Sequence, residues 1–501
     1  MEALSGLVYG FWNLLAPANL LSVFFGCLIG TVVGVLPGLG PVSTMALLLP
    51  FTLGTDPVTG LILLSGVFYG AQYGGSTTSI LLNVPGEATS VMTCLDGYQM
   101  TKKNRAGAAL TAAALGSWAA GTMGFLGLTF FAPQVAKVAL DFGPPEYFAI
   151  CLFALLILSN VSGGMPIRNM AMVCVGVMLA TVGVDEVSGL SRFDYGTYAL
   201  SQGIDFVPVL IGLFGMAEII EMAVLEKEGA KSATKVRLRD MYPTKQEWRR
   251  MVPAVFRGGI IGFIVGLVPG PSGVLSTYAS YAAEKKVSRH PEEFGRGAIE
   301  GVAGPESANN SAVAGGLIFL LTLGLPFTGF MAMLLAALNM HAIYPGPLFI
   351  TQRPDIFWVF IASLYLGNLM LLVLNLPLVG FSAWFLRVPM RYLMPVVCLL
   401  CIVGTLTINN RLYDVWIMLA FGVGGFLMRR WKYEAAPLVL GLVLGPMLER
   451  SLTQSWVMFH GEFWRFWQRP ISGVLMSLAI LAPLFLWLLR LRRPRKGKVL
   501  G

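Results

Sequence analysis

Charge is scarce in this 501-residue chain: Asp, Glu, Lys and Arg make up 12% of it, where about 25% is usual for a soluble domain. That shortage excludes an ordinary soluble enzyme. Histidine is scarcer still, with only His290, His341 and His460, and no H-E-x-x-H occurs. The chain also lacks a G-x-S-x-G elbow and a G-x-x-x-x-G-K-[ST] loop, so neither a hydrolase nucleophile nor ATP driving by this chain is expected. The six cysteines, at 27, 94, 151, 174, 398 and 401, form no paired C-x-x-C set of the kind a structural zinc site needs. They read as small apolar packing residues. The first 30 residues show neither a basic n-region nor a small-residue cleavage site, so a retained N-terminus is expected.

What the chain has in abundance is apolar: 56% of residues, with 58 Gly and 29 Pro set inside Leu/Val/Phe/Ala runs. This is the composition of an all-α polytopic membrane protein, long enough for about ten to twelve membrane segments. Runs able to cross, or nearly so, lie at 106–131, 145–165, 167–184, 206–225, 356–377, 394–408, 415–428, 435–448 and 471–489. Two further apolar regions, 18–92 and 253–344, are interrupted by Pro-Gly motifs and small polar residues.

The net charge of +9 follows the topology. The stretch Glu226 to Arg250 holds eight basic residues; placing it in the cytoplasm and alternating sides outward puts 28 of the 35 Lys and Arg there and 7 opposite. A four-to-one bias is what the positive-inside rule requires. The basic tail Arg490 to Lys498 then lies in the cytoplasm, where it suits anionic lipid; no nucleic-acid role is expected. Trp456, Trp464 and Trp467, with Phe459, Phe463 and Phe466, read as an interfacial helix on the opposite side.

An internal repeat carries the functional argument. A shift of 232 residues aligns Gly26, Gly30, Gly34, Pro37 and Gly38 with Gly258, Gly262, Gly266, Pro269 and Gly270. A second block aligns at 241, placing Gly74-Gly75 on Gly315-Gly316 and Pro85 on Pro326. The charge-derived topology makes the copies antiparallel. Inverted repeats with Gly/Pro-interrupted segments point to a secondary transporter and its midplane site. The every-fourth-residue glycines read as a helix-packing stripe. The Pro-Gly ends read as tips of re-entrant hairpins lining a cavity, because non-helical backbone at membrane depth needs protein or water to satisfy it. The resulting division is an interfacial segment 1–17, first repeat core 18–105, helices 106–225, cytoplasmic linker 226–252, second repeat core 253–344, C-terminal membrane helices 345–489 and cytoplasmic tail 490–501.

The blocks facing the tips offer hydroxyls, amides and helix ends without Lys or Arg. Helix N-termini suit a carboxylate, and Ser/Thr/Asn oxygens suit sodium. The expected substrate-binding residues are Gly38, Gly40, Ser43, Ser76, Thr77, Thr78, Asn83, Gly270, Ser272, Ser307, Asn309 and Asn310. Glu87 and Glu306, with Thr322 and Thr328, are the expected coupling-ion residues, since intramembrane acids are functional by default. Glu218 and Glu221, near a helix end, are expected to be solvated.

The segments Pro37-Gly38-Leu39-Gly40-Pro41, Tyr73 to Ser79 with Asn83 to Glu87, and Gly304 to Ser311 resemble the large membrane subunit of the bacterial tripartite tricarboxylate transporter family. The likeness spans essentially the whole chain. It implies an inner-membrane permease that works with a small four-helix membrane subunit and a periplasmic solute-binding protein, taking up citrate-like or other carboxylates on a sodium or proton gradient. No cofactor is expected beyond sodium as a coupling ion. A passive ion or anion channel, or another type of secondary transporter, remains the alternative reading of the residues.

Overall fold

The computed structural model describes residues 3–36, 40–161, 165–185, 189–224, 241–376 and 390–492. Pro37, Gly38 and Leu39 of the first hairpin tip, most of the expected cytoplasmic linker and the tail from Arg493 lie outside the described residues. Helices dominate: α1 Ala3–Leu14, α2 Pro17–Val35, α3 Pro41–Leu48, α4 Pro57–Leu82, α5 Val91–Lys102, α6 Ala106–Ala139, α7 Pro144–Val161, α8 Pro166–Ala180, α9 Tyr198–Ser201, α10 Phe206–Leu210 and α11 Ala217–Val224. They continue with α12 Lys245–Gly266, α13 Ser272–Val287, α14 Glu300–Leu323, α15 Gly329–Met340, α16 Phe349–Gln352, α17 Pro354–Asn375, α18 Met390–Asn409, α19 Leu412–Arg430, α20 Ala435–Met458 and α21 Pro470–Arg492. Among the described residues the only strands are a two-residue antiparallel pair at Gly183–Val184 and Ser191–Arg192. Among the described residues, six helices are long and apolar enough to cross a membrane, and shorter apolar helices accompany them. The chain is an all-α polytopic membrane protein.

Two compact units are present, Met1–Leu140 with Asp205–Leu427, and Asp141–Ile204 with Met428–Gly501. In the second, α20 packs on α7 and α8, and α21 packs on α7. The aromatic cluster expected at an interface divides. Trp456, Trp464 and Trp467 are exposed, whereas Phe459 and Phe466 turn inward onto Phe148 and form a small core. Arg469 Nε donates to the buried Glu146 at 2.6 Å beneath it.

The first unit contains the repeat, and its contacts reproduce both sequence offsets. A Cβ built on Gly26, Gly30 or Gly34 of α2 would lie 2.6, 2.2 and 2.2 Å from the carbonyl oxygens of Leu63, Val67 and Ala71 on α4. The same construction on Gly258, Gly262 and Gly266 of α12 meets the carbonyls of Gly304, Ala308 and Ala312 on α14 at 2.4, 2.2 and 2.2 Å. The first residues of these pairs differ by 232 and the second by 241. Partner numbers rise together, so α2 runs parallel to α4 and α12 parallel to α14. Between each pair the chain must return, which α3 and the 3-10 turn Leu49–Gly54 do in one copy and α13 in the other. Gly34 sits level with Ala71 and Gly266 level with Ala312, so each hairpin ends beside the middle of its long partner helix. The long helices also stop alike: Asn83 and Gly324, again 241 apart, both take left-handed backbone (φ 58° and 72°) as C-terminal caps. The N-terminal segment is likewise bound by backbone proximity, with Gly10 of α1 against the Trp358 carbonyl of α17.

Glycine is required here because only hydrogen lets two helix backbones touch. Gly262→Val is expected to destabilise the protein by about 3 kcal/mol, since the obstructing atom is backbone carbonyl rather than a movable side chain. Gly424→Ala, where nothing lies within 4 Å, should leave thermal stability in detergent unchanged; equal melting temperatures for both variants would contradict this packing.

Candidate functional site

The long helices α4 and α14 bring the two polar blocks together. Glu306 is 3% exposed. Its Oε2 accepts from Ser76 Oγ of α4 at 2.8 Å and from Ser117 Oγ of α6 at 3.4 Å, and its Oε1 accepts from Thr93 Oγ1 of α5. Among the described residues it makes no ion pair. Pro305 immediately before it removes one helical N–H from α14 and loosens the turn there. A small cavity beside the carboxylate is lined by Tyr73, Ser76, Thr77, Ser117, Glu306 and Asn375. On α4, α14 and α17 several buried oxygens have no hydrogen-bond partner, Gln72 Oε1, Ser307 Oγ, Asn309 Oδ1, Asn310 Oδ1, Ser311 Oγ and Asn375 Oδ1, of which Asn375 lines the cavity. Unpaired buried acceptors are costly unless something else engages them.

The second hairpin tip lies against the same region. Gly270 has φ 134°, and the Ser272 N–H closes onto the Gly270 carbonyl at 2.7 Å, which starts α13 with Ser272 buried. A Cβ on Gly273 would lie 3.0 Å from both Asn309 Oδ1 and Thr89 Cγ2. Asn309 Nδ2 donates to Thr89 Oγ1 at 3.1 Å, and Thr89 Oγ1 donates to Glu87 Oε1. Glu87 and Ser90 also form a capping box over the turn that opens α5.

The first tip is arranged differently. Gly40 N–H donates to Glu218 Oε1 at 3.0 Å, and Ser43 Oγ donates to Glu218 Oε2 and to the Phe214 carbonyl at 2.9 Å. Glu218 is 8% exposed. The expectation that it is solvated is therefore corrected: the π-helical turn Ile211–Met216 before it shifts the helical phase and directs its carboxylate onto the start of α3.

The other expected residues are placed as follows. Thr78 donates to the Gly75 carbonyl and Thr77 to Tyr73, both within α4, and Asn83 is exposed at its cap position. Asn310 Nδ2 donates to the Glu306 carbonyl at 3.1 Å. Thr322 donates to Ile318, about 24 Å along α14 from Glu306 at 1.5 Å per residue, and Thr328 caps α15 through the Met331 N–H. Neither is brought to the Glu306 cluster. Gly38 lies outside the described residues. Thr89, Thr93 and Ser117 join the site without having been singled out in the sequence, and Glu218 joins it against the expectation that it is solvated. For the first two a signal existed, because Glu87, Thr89 and Thr93 follow the Pro85-Gly86 break with hydroxyls one helical turn apart.

The site belongs to one side of the repeat only. At the 241-residue offset, Glu306 corresponds to Ser65, Asn309 to Phe68, Thr89 to Phe330 and Thr93 to Leu334. Where one contact between the copies is the Asn309–Thr89 hydrogen bond, the symmetry-related contact between them is Phe68 stacked on Phe330, ring centroids 3.8 Å apart. Shared backbone geometry thus carries a polar site at one of these two contacts and an apolar joint at the other.

Paired glycine-packed helices, tips beside the middle of long helices and a buried acid are features of a membrane transporter. Residues 20–440 match the model of the Tripartite tricarboxylate transporter TctA family, and the chain belongs to that family. It is 46% identical over 499 residues to an Agrobacterium vitis protein described as an uncharacterized 52.8 kDa protein in the TAR-I ttuC' 3' region, covering 100% of this chain and 99% of that one. A second Agrobacterium vitis protein, from the TAR-II ttuC' 3' region, is 42% identical over 234 residues, which is 47% of this chain and 97% of the relative. No solved structure matches.

Replacing Glu218 by Ala would strand the Gly40 N–H, while the Ser43 hydroxyl keeps the Phe214 carbonyl, at a local cost of about 1–3 kcal/mol. Amide exchange at Gly40 should then quicken roughly tenfold or more. Unchanged exchange would show that the carboxylate does not hold the tip.

Proposed function

We propose that this chain is the large membrane subunit of a cation-coupled carboxylate uptake system. It would move citrate-like tricarboxylates or related organic acids across the bacterial inner membrane, fed by a periplasmic solute-binding protein and braced by a small four-helix membrane subunit. The observation that carries the reading is Glu306: a carboxylate buried among hydroxyls from three helices, with no ion pair among the described residues. A bare charge there is expensive to bury. A proton or sodium ion that enters with the substrate and leaves with it would neutralise the acid and couple the two movements.

The family and the two helix pairs support the rest. The second tip, with Gly270 and Ser272 at the start of α13, offers backbone N–H groups and the positive end of a helix to a substrate carboxylate. At the first tip an internal carboxylate, Glu218, already takes that place. With the copies inverted as the charge distribution requires, and the C-terminus in the cytoplasm, movement of the tips relative to the long helices would open the site to each side in turn.

Glu306→Gln preserves size and removes the charge, leaving one accepting oxygen and one donating amide. In proteoliposomes containing the binding protein and the small subunit, it should keep exchange of labelled tricarboxylate for unlabelled within a fewfold of wild type. Gradient-driven accumulation should fall about tenfold or more. Accumulation equal to wild type would remove Glu306 from the coupling step.

A further inference from the structure

We propose that Asp96 is a positioning residue for Glu306: its carboxylate ties α5, in the first repeat core, to the second core, and so holds the Thr93 hydroxyl against the buried acid. The inference rests on the coupling role of Glu306 and names the contact that keeps that acid's surroundings in place.

Asp96 is fully buried. Its Oδ1 accepts from the backbone N–H groups of Gly295, Gly297 and Ala298 at 2.8, 2.7 and 2.9 Å, and its Oδ2 accepts from the Tyr281 hydroxyl at 2.9 Å. All four donors belong to the second repeat core. The three N–H groups converge because Gly295 and Gly297 take left-handed backbone, φ 81° and 108°, in the turns that lead into α14. The carboxylate therefore grips α13 with one oxygen and the entry to α14 with the other. The fit is close, since a Cβ on Gly301, in the first turn of α14, would collide with Asp96 Oδ2.

Thr93 stands one turn earlier on the same face of α5, about 4.5 Å along the axis at 1.5 Å per residue, and donates to Glu306 Oε1. Another face of α5 rests on its own repeat, where Gly97 lies on the Ile80 side chain of α4 and Thr101 donates to the Ile80 carbonyl at 2.7 Å. Asp96 adds the polar tie across to α14. Without it, α5 would be free to draw back with α4, and the charged form of Glu306 would lose a hydroxyl that solvates it.

The scaffold itself does not call for an acid at this place. At the 241-residue offset Asp96 corresponds to Ala337 and Thr93 to Leu334, both buried in α15. The symmetry-related helix thus packs with alkyl groups where α5 carries a carboxylate and a hydroxyl. A buried acid that only joined helices could be replaced in the same way. Asp96 and Thr93 instead occur together, at the contact that holds Glu306.

The test is a double-mutant cycle in proteoliposomes with the binding protein and small subunit, reading gradient-driven accumulation of labelled tricarboxylate against its exchange. Asp96→Ala and Thr93→Val should each lower accumulation about fivefold while exchange stays within about twofold of wild type. The double variant should accumulate within about twofold of the lower single variant, because both changes remove the same hydroxyl contact. Asp96→Asn keeps an accepting oxygen for the three N–H groups and should recover roughly half of the lost accumulation. Melting temperature and elution volume identify a variant that has failed to fold; Gly301→Ala, which displaces the carboxylate and leaves every donor, then takes the place of Asp96→Ala in the cycle. Reductions that multiply in the double variant, wild-type accumulation in either single variant, or exchange lost in step with accumulation would overturn the positioning role and leave Glu306 as the coupling acid. Wild-type protein that accumulates nothing on a sodium or a proton gradient would defeat the coupling reading, and this inference with it.

Discussion

A carboxylate that no cation among the described residues answers is the constraint around which this structure is arranged. Glu306 lies among Ser76, Thr93 and Ser117, on helices drawn from widely separated parts of the chain. Hydroxyls can solvate a charge but cannot cancel it, so the site is at rest only when a cation is present or the acid is protonated. Asn375 Oδ1, unpaired beside the same cavity, sharpens the same demand. A site that is uncomfortable when empty is suited to a carrier, because loading and unloading then differ in energy by enough to bias a conformational change.

Backbone proximity makes such a site possible. The glycine stripes of α2 and α12 let each short helix lie directly on the carbonyls of its long partner. This fixes where the hairpins stop, and both stop beside the middle of α4 or α14. Tip backbone, helix ends and the hydroxyl-rich turns are thereby gathered in one region. The two tips then diverge in chemistry: one is tied by Glu218, the other faces Asn309 and Thr89. The two repeats share a scaffold while polar groups gather on one face and aromatic packing, Phe68 on Phe330, on the other.

Much of this was legible before any coordinates. Apolar runs marked the helices, and the two offsets of 232 and 241 residues recur in the carbonyls that the glycines approach. Glu306, Asn309 and Ser76 stood out because polar residues inside apolar helices are conspicuous. Thr93 and Ser117 did not, since a lone hydroxyl acquires meaning only from a neighbour about 190 or 210 residues away in sequence, a contact made by helix packing. Glu218 was misjudged because position near a helix end suggests solvent, and a π-helical turn that redirects it leaves no mark in periodicity. Thr322 and Thr328, named with the acids, bond instead within α14 and at the start of α15. The symmetry of the repeat holds for backbone and fails for side chains. The aromatic run near the C-terminus was similarly ambiguous, as tryptophans at a surface and phenylalanines in a core share one composition.

The central claim is that this chain couples carboxylate movement to a cation gradient through a buried acid. The most direct measurement is uptake of labelled tricarboxylate by wild-type protein reconstituted with its binding protein and small subunit, with a sodium or proton gradient imposed and then collapsed by an ionophore. The account predicts accumulation above the external concentration while a gradient stands, and rapid loss of that excess when it is dissipated. Uptake that only equilibrates, at a rate indifferent to both gradients, would contradict it and would describe a passive pore.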